Sequence, residues 1–212
     1  MKKLISIILF FFGFITFAQR NYIPKGYKII EEKKGDLDND GINEKVIVFE
    51  TSDSTDFGYI REIQILKKSN TEWIEWKKSR NAILKSQDGG MMGDPYGDIE
   101  IKNGILIINQ NGGSSWKWGY TDKYRFQNDE FELIGYTSNY GKLCEYWANF
   151  DFNLSTGKII YMKEFEDCDK NQEIYKTEKE TFYKKGFKIN LENRNSEKFK
   201  IISPKNKFEL NI

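Results

Sequence analysis

Ile99-Glu100-Ile101-Lys102-Asn103-Gly104-Ile105-Leu106-Ile107-Ile108-Asn109 reads as two short strands around a tight hairpin turn. The same punctuation recurs downstream. Trp116–Gln127 and Phe131–Thr137 flank Asn128-Asp129-Glu130, and Tyr146–Phe152 and Lys158–Phe165 flank Asn153-Leu154-Ser155-Thr156-Gly157. Upstream, Lys45–Glu50, Tyr59–Lys67 and Glu72–Lys77 are runs rich in β-branched and aromatic residues. Toward the end, Thr181–Tyr183, Phe187–Leu191, Phe199–Ile202 and Phe208–Ile212 are separated by polar turns. No long stretch keeps a 3.6-residue apolar period. The charged segment Asp167–Glu180 reads as a short helix or a long loop. Aromatic residues make up 16% of the chain, which suits an all-β core. The expected fold is therefore all-β and mostly antiparallel, a sandwich or a propeller-like meander.

Residues 1–18 have the pattern of a secretory signal peptide. Lys2 and Lys3 supply the positive start, Leu4–Ala18 is an uncharged apolar run, and Thr16 and Ala18 place small residues before Gln19. The run is 15 residues long, short of the roughly 20 that a membrane span needs. Its removal leaves 194 residues, which fits a single β domain over 19–212. No later segment is apolar enough to span a bilayer. Without Lys2 and Lys3 there are 31 basic residues against 32 acidic ones, a net charge near −1. The two signs are interspersed, and no basic block marks a nucleic-acid surface. The expectation is an exported protein, periplasmic or secreted.

Histidine is absent. That removes Ser-His-Asp and Cys-His catalysis, His-ligated zinc and imidazole acid–base chemistry. Two cysteines remain, Cys144 and Cys168. Their midpoint falls inside the Asn153–Gly157 turn. With strands on both sides of that turn, the cysteines face each other across an antiparallel pair, and a disulfide is expected.

Chemistry concentrates in three places. The first is Gly35-Asp36-Leu37-Asp38-Asn39-Asp40-Gly41-Ile42-Asn43-Glu44, which runs directly into the strand-like Lys45–Phe49. Alternating carboxylates supply the hard oxygen ligands that Ca²⁺ prefers, and Gly41 permits the sharp turn. An EF-hand would place a glutamate at position 12 of the loop, where Ile47 stands. The stretch from Gly35 to Val48 instead resembles the calcium loops of FG-GAP, integrin α-type, repeats. That resemblance implies a structural calcium held by Asp36, Asp38, Asp40, the Ile42 carbonyl and Glu44. The loop occurs once, lacks the Phe-Gly and Gly-Ala-Pro landmarks, and has Glu where the family has Asp.

The second is the Gly-rich Asp88–Asp98, in which Asp94, Tyr96 and Asp98 are candidate ligand-binding residues. The readings are a long surface loop within Ser79–Gly97 or one wall of a binding site. The third is Trp116-Lys117-Trp118-Gly119-Tyr120, which follows the amide-rich Asn109–Ser115. Trp116, Trp118 and Tyr120 alternate and share one sheet face, and Tyr124 and Phe126 continue the parity. That face is either core or an aromatic platform of the kind sugar-binding surfaces use; the need for aromatic core favours the first. Trp73 and Trp76 have opposite parity, which places at least one at the surface.

The stretch from Gly93 through Gly112 to Tyr136 is similar to a pattern in small exported bacterial proteins of unknown function. Two functions compete. One is a non-enzymatic, calcium-stabilised β domain that binds a glycan or a protein. The other is a carboxylate-dependent polysaccharide hydrolase. It needs two carboxyls about 5 to 9.5 Å apart, with Asp94, Asp98, Glu100 and Glu145 as candidates.

Overall fold

A computed structural model describes residues 22–170, 173–195 and 199–212; the proposed signal segment lies outside them. Among the described residues there are thirteen strands and two short 3₁₀ turns. A four-stranded meander comprises β1 (Lys28–Gly35), β2 (Glu44–Thr55), β3 (Gly58–Ser69) and β4 (Glu72–Ser79). A seven-stranded meander comprises β5 (Tyr96–Lys102), β6 (Ile105–Gly113), β7 (Lys117–Gln127), β8 (Glu130–Lys142), β9 (Tyr146–Asn153), β10 (Lys158–Asp167) and β11 (Glu173–Tyr183). A final hairpin pairs β12 (Lys200–Ile202) with β13 (Glu209–Asn211). Every neighbouring pair is antiparallel and consecutive in sequence. The fold is all-β. No helix among the described residues is long and apolar enough to cross a membrane.

The turns explain the meander. Asn103 and Gly104 both have positive φ, 53° and 71°, and link β5 to β6 in two residues. Asn128 and Asp129 do the same between β7 and β8, at 53° and 62°. Two consecutive left-handed residues match the twist of paired strands, and Asn, Asp and Gly tolerate that conformation.

Strand alternation assigns the faces. Val46, Val48, Ile63 and Ile65 pack with Ile99, Leu106, Ile108 and Tyr124 in one core shared by both sheets. Ile47 and Phe49, on the other face of β2, meet Leu66, Tyr27, Ile29 and Trp73 in a smaller cluster. The β2 run is thus buried on both sides. A bulge at Ile30 lets Ile29 serve the small cluster while Ile30 packs against the main core. A second bulge at Trp76 sets its ring 4.4 Å from Phe126 and 5.1 Å from Phe131. Both Trp73 and Trp76 are therefore half-buried, on opposite faces, and neither is at the open surface.

Three sequence expectations need correction. Within Asp167–Glu180, residues Cys168–Lys170 form a 3₁₀ turn, but Glu173 onward is strand β11. It is an edge strand carrying alternating Lys and Glu, a composition that deters further pairing and hides the strand signal. Phe187–Leu191 is an irregular segment with one isolated bridge, Glu132 to Asn190, pinned by Leu133 N–H to Ile189 O and Leu191 N–H to Phe131 O. The strand β1 was not anticipated, because Glu31–Lys34 reads as solvated charge.

The C-terminal segment covers the half of the large sheet that the small sheet does not reach. Ile189, Leu191, Ile201, Leu210 and Ile212 join the main core with Phe152 and Ile159. Phe187 meets Phe152 at 5.7 Å, and Phe208 meets Tyr161 at 3.6 Å. One ion pair fixes this segment. Arg194 donates to Asp122 from Nε at 2.8 Å and from Nη2 at 3.3 Å, with Tyr124 Oη adding a bond at 3.0 Å. Burial works against the charge on Arg194, and Asp122 more than restores it. Cys144 and Cys168 are joined, as expected, with Cα atoms 5.0 Å apart. The bond closes the open end of the β9–β10 hairpin just beyond the Tyr146–Phe165 pair. Closing a loop of 24 residues contributes about 3 kcal/mol in the chain-entropy view.

Breaking one side of a buried ion pair strands the other charge. Arg194→Met should lower unfolding free energy by about 3–5 kcal/mol, read from the urea midpoint, and Asp122→Asn added to it should recover part of the loss.

Candidate functional site

The register of the large sheet places its inward side chains in rows. One row runs Gln110, Tyr120, Ser138, Phe150, Tyr161 and Glu180 across β6–β11. The next runs Gly112, Trp118, Tyr140, Ala148, Lys163 and Glu178. Ser138 and Ala148 are small and sit among large rings, so the surface sinks between them. The result is a groove of about 460 Å³ whose lining includes Trp118, Tyr120, Tyr140, Tyr146, Phe150 and Tyr161, with Lys163 among them. Phe208 and Glu209, with Leu210 and Asn211, close one side from β13. Four strands, β7–β10, at about 4.8 Å spacing give it a breadth of about 14 Å.

The aromatic rings are locked to one another. Trp116 stacks on Tyr140 at 5.2 Å and 9° and touches Tyr146 at 5.1 Å. Trp118 stacks on Tyr120 at 5.9 Å and 17°. Phe150 lies 4.6 Å from Tyr161. Tyr146 continues to Phe165 at 5.9 Å, and Phe165 to Tyr175 at 6.1 Å. Lys163 Nζ rests 3.5 Å from the Tyr146 ring centre and 4.7 Å from that of Phe165. Burial pushes its pKa down. Trp116 and Trp118 are half-buried, neither sunk in core nor fully presented. Trp118 lines the groove and Trp116 braces Tyr140 and Tyr146 beside it, while Tyr124 and Phe126, farther along the same parity, enter the core.

The Gly-rich loop flanks this site at its β6 end. Gly89 N–H donates to Gly93 O at 2.9 Å, and Gly113 N–H to Gly89 O at 2.8 Å, so the loop folds onto the end of β6. A Cβ on Gly112 would meet Trp118 Cζ2 at 2.5 Å and Gly89 O at 2.8 Å. Only glycine lets the loop and the indole close on the strand there. Of the candidates in this loop, Asp94 binds the buried Arg61 at 2.6 Å and accepts from Tyr96 N–H at 3.0 Å. Tyr96 donates through its hydroxyl to Glu31 at 2.5 Å, tying β5 to β1. Asp98 accepts from Asn109 at 2.6 Å on the outer face of the sheet. None of the three lines the aromatic groove.

A second depression of about 490 Å³ lies on that outer face, among Asn109, Asn111, Thr121, Asn139 and Asn149, where Gly119 leaves a gap. Its polar groups are partly spent on each other, Thr121 donating to Asn109 at 2.6 Å and Asn109 to Asp98.

The acidic loop joins β1 to β2. Leu37 is fully buried in the main core, and its amide donates to Glu44 Oε2 at 2.7 Å. Gly41, at φ 85°, donates to Asp36 Oδ2 at 2.9 Å, and Ile42 N–H to Asp40 Oδ1 at 2.7 Å. These bonds turn Asp36, Asp38 and Asp40 inward until one oxygen from each lies within 4.8 Å of the others. Asp36 Oδ1 and Asp38 Oδ1 are buried with no donor among the described residues. Lys67 contacts the other oxygen of Asp38 and rests 3.9 Å over Trp76. Three carboxylates against one ammonium make a cluster of hard oxygen ligands that could hold a divalent cation. Glu44 is buried, which pushes its carboxyl up, opposed by the Leu37 amide and reinforced by Asp38 and Asp40. The Ile42 side chain is in solvent, so that residue would act through its carbonyl.

Sequence reasoning did not find Tyr140, Tyr146, Tyr161, Lys163 or Phe208. The signal was present as alternation in Tyr136-x-Ser138-x-Tyr140, Tyr146-x-Ala148-x-Phe150 and Tyr161-x-Lys163-x-Phe165. Only the strand register shows that these triplets lie side by side. No family model, curated protein or solved structure matches this chain.

Proposed function

We propose that the chain is an exported, calcium-stabilised β domain that binds a glycan in the groove of the large sheet. The observation that carries this reading is the groove itself: an open trough floored by Ala148 and Ser138 and walled by stacked Trp and Tyr rings. Its volume is that of a ligand site. Aromatic faces cover the apolar faces of sugar rings, while Ser138 on the floor and Asn211 on the wall offer hydroxyl and amide partners. Rings already locked by mutual stacking lose little freedom when a ligand arrives. Export is supported by the N-terminal pattern and fits the disulfide.

The calcium reading rests on Asp36, Asp38 and Asp40, with the Ile42 carbonyl and Glu44 completing the set. Its support is the pair of buried carboxylate oxygens that lack a donor. The ion would neutralise the loop and hold the β1–β2 connection closed, which is a structural role.

The hydrolase alternative has less to stand on. Among the described residues Glu209 is the one acid lining the groove, and it pairs with Lys200 at 2.6 Å. Asp94 and Asp98 are engaged elsewhere, and Glu145 pairs with Lys142 at 3.3 Å.

Two experiments follow. Affinity electrophoresis through a panel of soluble polysaccharides should show retardation, and Trp118→Ala or Tyr161→Ala should weaken it roughly tenfold while melting stays close to wild type. Retardation equal in wild type and both variants would remove the groove from the account. Separately, millimolar calcium should raise the melting temperature over chelator by roughly 5–10 °C, and Asp38→Ala/Asp40→Ala should abolish the rise. Identical melting with and without calcium would reduce the loop to an acidic turn.

A further inference from the structure

The groove holds a cation with no hydrogen-bonded anion: Glu178 opposite acts on it through charge alone, and Lys176 opposes that charge. Lys163 makes no hydrogen bond or ion pair among the described residues, and its ammonium lies on the faces of Tyr146 and Phe165. The acids that could answer it are already engaged. Glu178, opposite Lys163 across the β10–β11 ladder, pairs with Lys176 at 2.5 Å. Glu209, on the groove wall, pairs with Lys200. Two more lysines mark the same aromatic line: Lys142 lies 5.8 Å over Trp116, and Lys176 lies 4.9 Å over Phe165. Both of those already have carboxylate partners, Glu145 and Glu178. Lys163 is the charge left over.

Resting on the glycan reading above, we propose that the groove takes an anionic polysaccharide, with Lys163 as the residue that binds its carboxylate or sulfate groups. Aromatic faces hold the ammonium in place and repay only part of its lost hydration. An acidic group on the sugar supplies the missing charge-assisted hydrogen bond, at the β10 end of the row that also carries Trp118 and Tyr140. A neutral sugar would cover the same rings and leave that ammonium only the charge of Glu178, which Lys176 already shares. Lysine acts as a point charge, so it does not by itself select carboxylate over sulfate.

The test is calorimetry on the oxidised, full-length mature protein with three soluble polymers: dextran, dextran sulfate and polygalacturonate. At low salt the wild type should bind one or both anionic polymers roughly tenfold more tightly than dextran. Which anionic polymer leads identifies the source of the charge. Lys163→Met should bring all three to similar affinity without abolishing binding, Lys163→Arg should keep the preference, and added salt should shrink it in the wild type. Melting curves show whether each variant is folded, and the Arg variant with the salt series decides the matter if the Met variant is not. A preference that survives in Lys163→Met, or dextran bound as tightly as the anionic polymers by wild type, overturns the proposal and leaves the glycan site standing. No binding of any polymer, or binding indifferent to Trp118→Ala, overturns both.

Discussion

Four strands face seven. That mismatch in width is the constraint on which the rest of the structure depends. A sheet seven strands wide exposes an inner face that its narrower partner covers only in part, and apolar surface left open costs stability. The chain answers with its last residues. Ile189, Leu191, Ile201, Leu210 and Ile212 are laid over β8–β10, and the Asp122–Arg194 pair fixes where that layer lies. Neither cover reaches the row of Trp118, Tyr140, Ala148 and Lys163. What remains open is not a random apolar patch. It is a set of rings that brace one another, with small residues beneath them.

Several buried polar groups hold the two sheets and the C-terminal layer in register. Glu31 on β1 accepts from Tyr96 and from the Ile99 amide on β5, bridging the sheet edges. Arg61 on β3 reaches Glu50 and Asp94, which fastens the Gly-rich loop. That loop in turn backs Trp118 through Gly112 and Gly89. The acidic loop is anchored by Leu37 in the same core. Residues that looked like a binding loop in sequence thus lie outside the groove, and Asp94, Tyr96 and Asp98 fasten the loop and β5 to Arg61, Glu31 and Asn109.

Much of the fold was legible because period-two alternation and Asn-Gly or Asn-Asp turns are local signals. Strands β2–β10 could be placed from them, and the Cys144–Cys168 bond followed from the Asn153–Gly157 turn at its centre. Strand β1 was not legible, and β11 only at its Thr181–Tyr183 end, since Glu31–Lys34 and Lys176–Glu180 carry the charge that edge strands tolerate and that loops also show. The candidate site was half legible. Trp116, Trp118 and Tyr120 stood out by alternation within one strand. Whether they were core or platform depended on how far the second sheet extends, which no local pattern encodes. Their partners Tyr140, Tyr146, Tyr161 and Lys163 are brought alongside by register over four strands, and Phe208 by the returning C-terminus.

The central claim is that the uncovered inner face between β7 and β10 is where a ligand sits. Amide chemical-shift mapping of the isotope-labelled protein, titrated with an oligogalacturonate, tests it most directly. The account predicts that perturbations gather at Trp118, Tyr140, Ala148, Lys163 and the Phe208–Asn211 wall, sparing the outer-face residues Asn109, Thr121 and Asn149. Perturbations confined to that outer face or to the Asp88–Asp98 loop, or a spectrum unmoved at millimolar ligand, would contradict it.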